Sequence, residues 1–240
     1  SFFLEETTGP GSEKIFLVDF ATMSLREFKF PREYRGSKIN IVNYSYDDNQ
    51  IAYEDWHPFG GTPPNPTIHS YIYDNKTQNV VLLSDPSVIC ENPMWSPTRK
   101  QILLSCNLSN DGITVEPQIR ILDTEESNIH IRKTFEGCLK SVWSPDGEQV
   151  AMICRDAKKN TGIFLTNYDG TNYREVLTNI PYYTPYVLWS PDGKQLIYSG
   201  AGSSTEPRHI YLVNVDGTNN HVITQKTANY TNLFTYPIEP

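Results

Sequence analysis

Four cysteines fall at matched places in this chain. Cys90 and Cys138 each precede a tryptophan (Trp95, Trp143) by five residues, and Cys106 and Cys154 each follow the same tryptophan by eleven. Thiols repeated in one frame can form two disulfides if that frame is an antiparallel hairpin. If the tryptophan pairs with the residue six further on, Cys90 stands opposite Cys106 and Cys138 opposite Cys154. Facing residues in such a ladder lie about 4.5–5.5 Å apart, within reach of a disulfide. The alternative is a duplicated pair of small buried thiols. Each bond would span 16 residues and contribute about 3 kcal/mol in the chain-entropy picture.

Other residues that carry chemistry are present without catalytic spacing. His57, His69, His130, His209 and His221 show no metal-ligand pattern. Residues 200–205 are rich in Gly and Ser, but no Gly-Lys-Ser/Thr follows to cradle a phosphate. Residues 107–117 read as a loop with Asp111, Gly112 and Glu116, which lack the carboxylate spacing of a calcium loop. There is no Gly-x-Ser-x-Gly nucleophile motif. No metal and no cofactor are predicted.

The elements that must position these residues repeat. Residues 189–193 and 143–147 read Trp-Ser-Pro-Asp-Gly, 95–99 read Trp-Ser-Pro-Thr-Arg, and 44–48 read Tyr-Ser-Tyr-Asp-Asp. Successive anchors are 51, 48 and 46 residues apart, a period that marks a repeat architecture. In each copy an aromatic ends a strand, Pro and Asp-Gly make a tight turn, and an apolar run begins the next strand. A third strand follows at 15–19, 70–74, 119–123, 163–167 and 210–214, each closed by Asp or Asn. A fourth follows, as at 174–178 and 221–224. Four strands per unit of about 48 residues is the content of a propeller blade.

The ends extend this reading. Residues 1–6 look like a second strand without its anchor, and 230–236 like a first strand with nothing after it. Phe234 lies 45 residues past Trp189, where the next anchor belongs. The sequence thus predicts an all-β, five-bladed β-propeller of four-stranded blades, the ring closed by the C-terminal strand joining the N-terminal blade. It is read as one domain over 1–240, with blades at about 31–84, 85–135, 136–179, 180–226, and 227–240 with 1–30. A fragment of a six- or seven-bladed ring is the alternative. The repeats resemble the TolB-like propeller family, whose blades carry a Trp-Ser-Pro-Asp-Gly hairpin. That resemblance implies the fold; the family includes binding scaffolds, protease-associated propellers and some lyases.

The loop at 54–66 is the longest between second and third strands. It carries Asp55, Trp56, His57 and Phe59 among prolines and glycines, as a binding anchor or as a plug for the ring. The first strands of the blades should line the channel, bringing Glu91, Asn92, Lys140, Tyr182 and Tyr183 to its mouth. Glycoside hydrolysis needs two carboxylates, and Glu91 is the one acid clearly on a channel strand, although Asp55 or Asp156 could lean in from loops.

A net charge of −8 without a basic cluster argues against nucleic acid and anionic membranes. No run reaches the roughly 20 apolar residues of a membrane span. The sequons at Asn43, Asn75, Asn107 and Asn229, with paired cysteines, favour an extracytoplasmic setting, whether secreted, periplasmic or cell-surface. The sequence therefore reads as a monomeric, non-catalytic scaffold for a protein or peptide, acting through its long-loop face and channel mouth. The alternative is a carbohydrate-binding or carbohydrate-active propeller, glycosidase- or lyase-like, with its site at the channel.

Overall fold

The Ser and Asp of the repeated motif build its turn. In the computed structural model Ser144 Oγ donates to Asp146 Oδ1 (2.6 Å) and accepts the Gln149 N–H (2.9 Å), while Asp146 also accepts the Glu148 N–H (3.0 Å). The same network recurs at Ser190, Asp192, Lys194 and Gln195. It recurs again at Ser45, Asp47, Asn49 and Gln50. The divergent copy at 44–48 therefore keeps the two side chains that make the turn.

The structure describes residues 2–7, 13–19, 23–28, 38–47, 49–56, 68–85, 88–109, 115–125, 128–156, 158, 160–181 and 183–224. The expected closing strand at 230–236 and the loop residues His57 and Phe59 lie outside them. The first sheet holds β1 (Phe2–Thr7), β2 (Glu13–Asp19) and β3 (Ser24–Phe28). The second holds β4 (Lys38–Tyr44), β5 (Gln50–Trp56), β6 (Ile68–Asp74) and β7 (Val80–Leu82). The third holds β8 (Ile89–Trp95), β9 (Gln101–Ser109), β10 (Val115–Glu125) and β11 (Asn128–Glu136). The fourth holds β12 (Cys138–Trp143), β13 (Gln149–Arg155), β14 (Thr161–Asn167) and β15 (Arg174–Leu177). The fifth holds β16 (Tyr183–Trp189), β17 (Gln195–Ala201), β18 (His209–Asn214) and β19 (His221–Val222). Every sheet is an antiparallel meander, and every described element is a strand.

The core lies between sheets. Ala52 and Ile72 of the second sheet pack on Cys90, Trp95, Ile102, Leu104 and Leu122 of the third. Leu103, Ile119 and Ile121 on the third sheet's other face meet Trp143, Val150 and Met152 of the fourth. Ala151, Ile153, Ile163 and Leu165 then meet Val187, Trp189, Leu196 and Val213 of the fifth. Second strands are thus covered on both faces, and Val150 to Cys154 are all fully buried. That explains why they read as continuous apolar runs instead of alternating ones. Two of the three anchor indoles reach back one sheet: Trp143 Nε1 donates to the Met94 carbonyl (3.0 Å) and Trp189 Nε1 to the Val142 carbonyl (3.3 Å).

The hairpin register corrects one expectation. Trp95 pairs with Ile102, Trp143 with Val150 and Trp189 with Leu196, seven residues on and not six. The cysteines nevertheless face each other, because each first strand slips by one residue between the anchor and its far end: between Glu91 and Met94 in β8, and between Cys138 and Lys140 in β12. Such a bulge absorbs one extra residue in the ladder. Cys90 is bonded to Cys106 and Cys138 to Cys154, with Cα atoms 4.1 and 3.9 Å apart.

Candidate functional site

The same slip shapes the exposed side of the first strands. These strands adjoin their neighbours, β4 against β8 and β12 against β16, so their residues lie where the sheets converge. Slips also fall between Ile41 and Asn43 in β4 and between Tyr183 and Tyr186 in β16. In three successive sheets the residue three before the anchor is Asn92, Lys140 and Tyr186. All three are exposed, beside buried neighbours such as Pro93 and Val187. Asn92 takes up the slip with a positive φ of 54°, which Asn tolerates better than most residues.

Tyr186 is the centre of this strip. The residue is 41% exposed. Lys140 Nζ lies 6.0 Å from its centroid and Arg208 Cζ 5.8 Å, both within cation–π range. Lys140 comes from the neighbouring first strand, and Arg208 from the segment just before β18.

The other expected residues separate into two groups. Asp55 is not on a loop: it is the sixth residue of β5, opposite Ile39 and His69, and only 1% exposed. Trp56 is the last residue of the same strand. The first three residues of the stretch expected as a loop, 54–56, thus belong to this strand. Glu54, beside Asp55, is 2% exposed and its Oε1 accepts the Asn92 N–H at 2.5 Å, tying the second sheet to the third. Glu91 sits on β8 opposite Ser105, half-buried. Tyr183 opens β16 opposite Ala201, and Tyr182 lies outside the described residues.

The expected loop at 107–117 is shorter than the sequence reading had it. β9 and β10 pair as far as Ser109 and Val115, so most of 107–117 is hairpin. In the turn after β13, Asp156 accepts the N–H groups of Lys158 and Asn160 (both 2.8 Å). Its carboxyl is held below the usual carboxylate range chiefly by the hydrogen bond from the Asn160 side chain. That carboxylate is committed to its own turn.

Sequence reasoning missed Tyr186 and Arg208. The signal for Tyr186 was present, since it shares its offset from the anchor with Asn92 and Lys140. Arg208 carries no such signal, because its approach depends on how the β17–β18 connection folds back. Among the described residues no group of three or more His, Cys, Asp or Glu is gathered as a metal site. No helix among them is long and apolar enough to cross a membrane. A cavity of about 420 Å³ lies at the opposite, hairpin end of the fourth sheet, lined by residues including Gln149, Asn167, Tyr173 and Arg174. The Arg174 guanidinium there donates to the Val215 carbonyl.

No family model matches the chain. Over 69 residues it is 35% identical to YuxL of Bacillus subtilis (strain 168), described as an uncharacterised peptidase; the stretch is 28% of this chain and 10% of that protein. An oligogalacturonate lyase in complex with manganese superposes with a TM-score of 0.68 at 15% identity, over 96% of this chain and 64% of that one. TolB from Acinetobacter baumannii superposes with a TM-score of 0.55 at 16% identity, over 93% and 57% of the two chains. These similarities show a TolB-like β-propeller fold. The chain spans less than two thirds of the length of each of these proteins.

Proposed function

We propose that this chain is a non-catalytic propeller scaffold that binds a protein or peptide across the convergence of its first strands and the adjoining long-loop face. The set of Asn92, Lys140 and Tyr186 carries this reading: equivalent positions on three sheets present exposed hydrogen-bonding, cationic and aromatic groups, the last two within 6.0 Å of each other. The acids that a hydrolytic site would draw on argue the same way. Asp55 is buried, Glu54 holds a backbone N–H, and Asp156 closes a turn.

In this reading the protein is a monomer with a single domain over 1–240, its five blades at the boundaries drawn from the repeats. The segment 227–240 joins the three-stranded N-terminal sheet, supplying its fourth strand and closing the ring. Trp56, His57 and Phe59 rim the binding face, with Glu91, Tyr182 and Tyr183 beside the strip. The paired disulfides and sequons support an extracytoplasmic location.

Selection from a displayed peptide library against the immobilised protein tests the function. Enrichment of peptides whose binding weakens in a Trp56→Ala/Phe59→Ala variant is expected. Failure to enrich any peptide, with turnover of a polysaccharide, would overturn the scaffold reading. Carbohydrate binding or carbohydrate-active chemistry at the channel is the second reading. The likeness to the lyase, with a TM-score of 0.68, favours it, and release of reducing or unsaturated sugar ends reports it.

A further inference from the structure

We infer that the cavity at the hairpin end of the fourth sheet is a binding site for a neutral sugar, separate from the convergence of the first strands. A glutamine that opens the second strand of four sheets is spent on structure in three of them and left free in the fourth sheet. The inference goes beyond the scaffold reading and does not depend on it.

Gln50, Gln101, Gln149 and Gln195 each begin the second strand of their sheet, directly opposite an Asp or Asn of the third strand. Gln50 Nε2 donates to Asp74 (3.3 Å), Gln101 Nε2 to Asp123 (2.8 Å) and Gln195 Nε2 to Asn214 (3.0 Å). Gln149 faces Asn167 in the same register, yet among the described residues its side-chain amide makes no hydrogen bond. Asn167 turns its own Nδ2 to Thr171 Oγ1 (3.0 Å), which leaves its Oδ1 available. Both amides line the cavity of about 420 Å³.

The fifth sheet carries the same turn without the free amide. Residues 167–172 and 214–219 both read Asn-x-Asp-Gly-Thr-Asn. Asp169 and Asp216 each accept their threonine hydroxyl at 2.6 Å, and Asn172 and Asn219 share a positive φ of 52° and 55°. The copies part just beyond. In the fifth sheet Asn220 accepts the Tyr198 hydroxyl (2.9 Å). In the fourth, Met152 stands at the place of Tyr198 and Tyr173 at that of Asn220. Tyr173 is 47% exposed and borders the cavity with Asn172, whose side chain is also without a hydrogen bond among the described residues.

Three carboxamides, each both donor and acceptor, thus stand beside an exposed aromatic. Sugar hydroxyls also donate and accept, and a sugar ring has apolar edges for the tyrosine. The one charged side chain of the lining is already engaged: the Arg174 guanidinium donates to the Val215 carbonyl (2.9 Å) and has Asp216 nearby. A neutral ligand leaves that balance undisturbed, and the volume falls in the range of small-molecule sites.

The test follows amide-detected NMR of the isotope-labelled intact protein during titration with glucose, galactose and N-acetylglucosamine, with glucuronate and glycinamide as charged and peptide-like comparators. At least one of the three sugars is expected to bind at about 1 mM, shifting the side-chain amide signals of Gln149, Asn167 and Asn172. Its affinity should fall about tenfold in Gln149→Leu and in Asn172→Gly, the glycine keeping the positive φ. Gln195→Leu should do the converse: unchanged sugar affinity, with a melting temperature lower by about 2–4 °C from the lost hydrogen bond. Gln149→Leu, with no such bond to lose, should melt with the parent; if it does not fold, Asn172→Gly carries the test. No shift with any of the three sugars at about 50 mM overturns the inference. So do shifts confined to the first strands, equal or tighter binding of glucuronate or glycinamide, or indifference to both variants. Peptide enrichment from the display library, or its failure, decides the scaffold reading alone, so the two readings fail separately.

Discussion

Two glycines in the same turn of the same motif should respond differently to alanine. Gly147 and Gly193 end the two intact Ser-Pro-Asp-Gly turns with φ of +71° and +69°. An L-residue there costs about 1–2 kcal/mol, a term common to both. A Cβ at Gly193 meets nothing within 4 Å, so Gly193→Ala should stop at that cost. A Cβ at Gly147 overlaps Thr98 Oγ1 of the third sheet and lies 3.1 Å from Ser96 Oγ. Thr98 must then turn away and give up its hydrogen bond to the Asp146 carbonyl (3.1 Å), worth about 0.5–1.5 kcal/mol. Gly147→Ala should therefore be worse than Gly193→Ala by about 1 kcal/mol, or about 2–4 °C in melting temperature for a chain of this size. Urea denaturation with both disulfides intact measures it. In a Thr98→Ala background the Gly147→Ala penalty should fall to that of Gly193→Ala. Equal penalties at the two glycines, or a Gly147 penalty unchanged without Thr98, would refute the reasoning.

Replacing Cys138 and Cys154 together with Ala should cost about 3 kcal/mol, as should replacing Cys90 and Cys106; denaturation midpoints report the loss, and mapping of unreduced peptides verifies the pairing. The hydrogen bonds from Ser144 and Ser190 hold the carboxyls of Asp146 and Asp192 below the ordinary 3.8. A depressed folded pKa contributes stability that is complete above the unfolded pKa and lost as pH falls through the folded one. The melting temperature should hold from neutrality to about pH 4 and then decline, with a shallower decline in a Ser144→Ala/Ser190→Ala variant; an identical decline in both would count against these hydrogen bonds as the cause. Deleting residues 227–240 should lower the melting temperature if they complete the N-terminal sheet. A truncated chain that melts with the intact one would remove ring closure from the account.

The fold was readable because its turn is made by side chains. Ser45 and Asp47 survive in the most divergent copy, and they make the hydrogen bonds that shape the hairpin. The register was not readable. The slip falls at Asn92 and Pro93 in one strand and at Leu139 in the next, so no residue type announces it. Asp55 illustrates a signal present but overlooked. It lies eleven residues past Tyr44, the offset of Cys106 and Cys154 past their tryptophans, and that offset puts it inside a strand. Among prolines and glycines its charge suggested a loop. The strip of Asn92, Lys140 and Tyr186 was half visible in the same way: two members were named for their chemistry, and the third is found only by counting from the anchor.

Both disulfides close within a sheet, and neither crosses to the next. Under tension the molecule therefore has reinforced panels and unreinforced seams. The seam between the third and fourth sheets rests on apolar contact, the Trp143 indole, Thr98, and the Arg99 guanidinium bonded to the Gly147 carbonyl and laid over Tyr168. A pulled chain should yield first along such seams, releasing whole sheets whose inner hairpins stay locked. Oxidation then sets the size of the piece that comes away, and not the force needed to start the tear.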